Sequence, residues 1–120
     1  MTDEIMDESV KALEDAVVGR SIVNFEKVRD DYGCGVYMAT LDNGKRVRIA
    51  DTWECCAGTD IVGFLFDASK KNNIITKVKV EEDYTRWYVM AEMDVVLDLN
   101  VSWTEGSGYY TYGFEIKVME

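Results

Sequence analysis

The run DVVLDLNVSWTEGSGYYTYGFEIKV, residues 94–118, decides the fold class. In its first part Leu97, Leu99, Val101 and Trp103 alternate with Asp98, Asn100 and Ser102. In its last part Tyr110, Tyr112, Phe114, Ile116 and Val118 alternate with Thr111, Gly113, Glu115 and Lys117. Successive side chains of a strand point to opposite faces, so this period of 2, sustained twice, predicts two strands. Thr104 to Gly108 between them is rich in turn formers, which predicts a β-hairpin whose apolar face floors the core. Both apolar sets share one face only if paired residue numbers have an odd sum, as with Trp103 opposite Tyr110 and Leu99 opposite Phe114, or if a bulge intervenes.

Immediately upstream, Tyr84 to Met93 reads as a strand with two partly apolar sides. Trp87, Val89, Ala91 and Met93 lie on one side and Tyr84, Arg86, Tyr88 and Met90 on the other. Such a strand is either covered on both sides or presents a binding face. Tyr, Arg and Met are enriched at protein interfaces, which makes Tyr84, Arg86, Tyr88 and Met90 the candidate protein-binding residues. The competing reading is structural: an N-terminal helix needs somewhere to bury its stripe, and this side is available. An uncovered aromatic strip is the rarer outcome on a monomer, which favours the covered reading.

That helix is predicted over Asp3 to Val18, where Met6, Val10, Leu13 and Val17 recur at helical spacing, Thr2 can cap and Gly19 stops the run. Asp7, Glu8, Lys11 and Asp15 form its solvated face. Ser21 to Arg29 reads as a first strand with no decidable buried face. Val36 to Leu41 and Lys45 to Ala50 then form a type I′ hairpin about Asn43-Gly44, the strongest short-range hairpin signal in the chain. A second helix is expected from about Asp60 to Lys71, with Ile61, Phe64, Leu65 and Ala68 on one face and Gly63 at a close approach. Ile74 to Val80 is a further strand.

The expected fold class is α+β: a largely antiparallel sheet of about seven strands, an N-terminal helix and a second helix after the third strand. At 120 residues the chain suits a single domain, with residues 1–19 as the amphipathic helix and 20–120 as the sheet-based core. No run approaches 18 apolar residues, and Met1-Thr2-Asp3-Glu4 is acidic where a secretory signal would be basic. A soluble cytoplasmic protein with no membrane association is expected.

Charge narrows the function classes. The formal net charge of −10 is concentrated at the ends: −4 over residues 1–20 and −7 over residues 81–120. Acid of this amount opposes phosphate binding, and Lys45, Arg46 and Arg48 are too few to reverse it, so no nucleic-acid partner is expected. The chain has no histidine, which removes the commonest general base and the usual partner of Ser or Cys nucleophiles. No enzyme activity, cofactor or metal is expected.

The chemically oddest segment is Asp51-Thr52-Trp53-Glu54-Cys55-Cys56, where Asp51, Trp53, Cys55 and Cys56 are the candidate pocket residues. A thiolate near a helix start would have a lowered pKa. The plainer reading is that these thiols pack as small hydrophobes beside Trp53. Three cysteines at no framework spacing fit reduced thiols, and adjacent Cys55 and Cys56 lack the spacing of a zinc site.

Tyr32-Gly33, Leu41-Asp42-Asn43-Gly44, Cys55-Cys56-Ala57, Thr85-Arg86-Trp87 and the terminus from Tyr110 to Val118 together resemble a family of small uncharacterised proteins from phages of actinobacteria. The resemblance runs from about Gly19 to the end, with the double cysteine and the Tyr112-Gly113-Phe114 terminus its most specific parts. It implies a phage origin and a host cytoplasm or virion, and it carries no active-site residue. Three function classes follow: a module that binds a host or phage protein, a virion component that self-associates, and a small-molecule pocket protein using the Trp53 to Cys56 loop. The first is the reading adopted from sequence.

Overall fold

A computed structural model describes residues 2–31, 33–54, 57–81, 83–104 and 112–119. The elements run α1 (Thr2–Val17), β1 (Ile22–Asp31), β2 (Cys34–Leu41), β3 (Arg46–Ala50), β4 (Thr52–Glu54), β5 (Ala57–Phe66), a 3-10 turn (Ala68–Lys70), β6 (Lys77–Glu81), β7 (Arg86–Ala91), β8 (Asp94–Thr104) and β9 (Glu115–Met119). The strands form two antiparallel sheets, one of order β1-β2-β3-β9 and one of order β4-β5-β8-β7-β6. The expected single sheet of about seven strands is therefore two sheets, and the mostly β architecture carries one α-helix among the described residues.

The second helix does not form. Residues 57–66 are strand β5, and only Ala68–Lys70 turns helically, capped by the Asp67 side chain accepting from the Ser69 N–H. The cause is a register shift between Ile61 and Gly63, where Val62 is the extra residue of a bulge. The bulge turns Ile61 inward, Val62 and Gly63 outward, and Phe64 inward again. Two inward residues three apart imitate a helical stripe, although β-branched and aromatic residues dominate the run.

The expected hairpin between residues 94–104 and 110–118 is also overturned. β8 has both edges occupied, by β5 and by β7, with Leu99 facing Phe64 on one side and Trp87 on the other. β9 instead pairs with β3, Ile116 opposite Ile49 and Val118 opposite Val47. The proposed Trp103–Tyr110 pairing falls on Tyr110, outside the described residues. Phe114 nonetheless joins the same core, its ring meeting the Trp87 ring edge-on at 5.2 Å.

The Asn43-Gly44 hairpin forms, but not through the expected type I′ turn: Gly44 adopts φ +85° while Asn43 does not have positive φ, and Asn43 Oδ1 accepts the Lys45 N–H in a three-residue loop. Its second strand then does something the sequence did not announce. β3 ends at Ala50 in one sheet and β4 begins at Thr52 in the other, so Asp51 alone makes the corner. The Asp51 N–H donates to the Gly35 carbonyl, Oδ2 accepts the Gly35 N–H at 2.9 Å, and Oδ1 accepts the Ile61 N–H at 2.9 Å. The Tyr37 hydroxyl donates to the Ile61 carbonyl at 3.0 Å. One carboxylate and one phenol thus tie β2 to the free edge of β5 at its bulge.

Helix α1 spans the two sheets at their other sides. Its Glu14 carboxylate accepts the Val78 N–H of β6 at 3.1 Å, and a Cβ on Gly113, just before β9, would collide with Ser9 Oγ. Met6, Leu13 and Val17 are fully buried and Val10 packs beside them, as the stripe predicts. They join Trp87, Val89, Leu97 and Leu99 in one cluster with Ile49, Val47 and Phe25 from the first sheet. At about 1.5–3 kcal/mol per fully buried large apolar side chain, this helix is integral to the core. It therefore covers the inner face of the five-stranded sheet, and the expectation that it covers the opposite face is wrong.

Candidate functional site

With the helix inside, the outer face of the five-stranded sheet stays uncovered by any described element. On β7, Trp87, Val89 and Ala91 point to the core, while Arg86, Tyr88 and Met90 stand half-exposed on the outer side. Met93, expected in the core, lies in the β7–β8 turn and is 88% exposed. Register extends the face in both directions. Leu65 of β5, Asp98 of β8, Tyr88 of β7 and Lys79 of β6 form one cross-strand row, and Val95 sits opposite Met90. Val62 joins them because the bulge turns it outward, and Trp53 joins because it faces Gly58 across β4 and β5. A Cβ at Gly58 would collide with the Thr52 carbonyl and lie 2.7 Å from Trp53 Cε3, so glycine is what lets β4 approach β5 so closely there.

Four of the nine large apolar side chains exposed among the described residues, Trp53 (59%), Val62 (63%), Leu65 (74%) and Val95 (38%), are on this one face. Arg86 is held at its centre, with Nη2 2.9 Å from Asp98 Oδ2 and its guanidinium 5.5 Å from the centroid of the Tyr88 ring. A guanidinium fixed by a carboxylate and an aromatic ring loses little further freedom on binding.

Tyr84, the fourth candidate, is elsewhere. It lies in the β6–β7 turn, where it and Asp83 both have positive φ, 63° and 55°. Its hydroxyl donates to Asp7 Oδ1 of the helix at 2.7 Å. The turn is fixed by two indoles: Trp87 Nε1 donates to the Tyr84 carbonyl and Trp103 Nε1 to the Asp83 carbonyl. Consecutive left-handed residues persist only where their surroundings over-determine them, as these two donors do. The acidic run Glu81-Glu82-Asp83 marks a turn in the sequence, but nothing local showed that the indoles of Trp87 and Trp103, both farther along the chain, would fix it.

Asp51 and Trp53 do border a cleft of about 390 Å³, together with Cys34, Glu54, Tyr112 and Glu115. Cys55 and Cys56 lie outside the described residues. The cleft's carboxylates are largely engaged: Asp51 takes two backbone donors, and Glu115 pairs with Arg48 at 2.9 Å. Burial raises the Asp51 pKa above the usual aspartate value, partly offset by the Ile61 and Gly35 N–H groups. Burial alone raises that of Asp60. No described cluster of three or more His, Cys, Asp or Glu residues is arranged to hold a metal, and no described helix is long and apolar enough to cross a membrane.

Fold and surface together define a small two-sheet protein whose most distinctive surface is a sheet face. A family model described as "Domain of unknown function (DUF7448)" matches residues 15–116, and the chain belongs to that family. The match begins near the end of α1, so most of the helix that completes the core precedes it. No curated protein and no solved structure matches the chain.

Proposed function

We propose that this chain is a non-enzymatic protein-binding module that works through the outer face of its five-stranded sheet. The observation that carries the reading is the gathering of Trp53, Val62, Leu65 and Val95 around half-exposed Tyr88, Met90 and Arg86. Exposed apolar side chains sharing one face with Tyr and Arg are what protein interfaces select. The resemblance of the double cysteine and the Tyr-Gly-Phe terminus to phage proteins of actinobacteria supports a setting in the cytoplasm of an infected bacterium, with a host or phage protein as the target.

Capture of proteins from infected and uninfected lysates, with wild type and Leu65→Glu immobilised in parallel, tests this. Leu65 is exposed, so the variant should match wild type in melting temperature. The expected result is a protein retained by wild type and lost by the variant. Identical captured sets on both would overturn the reading.

A further inference from the structure

We draw no further inference here: the strongest candidate, the cleft at the β3–β4 corner bordered by Asp51, Glu54 and Glu115, rests on a group of carboxylates of which Asp51 and Glu115 are already engaged within the fold, and nothing in the structure shows what it would take.

Discussion

Asp51 fastens the two sheets together at the corner between β3 and β4. Its two oxygens accept backbone N–H groups from different sheets. An Asn there presents one oxygen and one NH2 group, so either Gly35 or Ile61 loses its acceptor and faces a donor. Asp51→Asn should cost about 1–3 kcal/mol, read as a lower urea midpoint at unchanged slope; a loss under about 0.5 kcal/mol would contradict the assignment. Asp60 shares the upward shift of Asp51 on burial, but no described backbone donor offsets it. Burial raises its folded pKa above the unfolded value near 3.8, so the folded state binds that proton more tightly. Its favourable contribution is complete below the unfolded pKa and is lost as pH rises through the folded one. Asp60→Asn should therefore melt higher than wild type at neutral pH and equally at about pH 3, measured in dilute protein. Neither role was legible in the sequence. In the sequence Asp51 stands with Trp53, Cys55 and Cys56 and suggests a pocket, because nothing in a linear pattern shows that residue 51 is a corner. The bulge at Val62 was hidden for a related reason, since one extra residue turns a spacing of two into a spacing of three.

At the level of elements, reading succeeded where one face alone is buried. The stripe of α1, the alternation of β7 and β8 and the hairpin at Asn43-Gly44, though not its turn type, follow from local pattern. It failed where partner choice decides. Residues 94–104 and 115–118 were correctly strands, while 112–114 are irregular; alternation fixes which face is buried and says nothing about which strand lies alongside. The helix was likewise correct and its site was not. Since Leu13 is 1% exposed within the shared core, Leu13→Ala should cost about 2–5 kcal/mol, whereas Lys11→Ala on the solvated face should stay within about 0.5 kcal/mol. Equal effects in chemical denaturation would contradict the placement. The β7–β8 turn gives a gain instead. Glu92 holds φ at 58° with its N–H donated to Thr76 Oγ1, and Asn tolerates that conformation better than Glu. Glu92→Asn should raise stability by up to about 1 kcal/mol in the same assay.

For the whole molecule, the imbalance of 23 acidic against 13 basic residues acts against compactness. The described ion pairs are mostly exposed and offset little of it. Screening by salt should therefore stabilise the fold: the melting temperature is expected to rise between low salt and about 0.5 M sodium chloride, and a fall would show that attractive pairs dominate. The three tryptophans carry a separate consequence. Trp87 is fully buried against Phe114, Trp103 is tied to the β6–β7 turn, and Trp53 lies 59% exposed on the uncovered face. The chain thus holds built-in optical probes of three environments. A soluble quencher should dim the red-shifted emission of Trp53 and spare the blue emission of Trp87. Anything that settles on the outer face should reverse that accessibility while leaving the buried indole's spectrum in place.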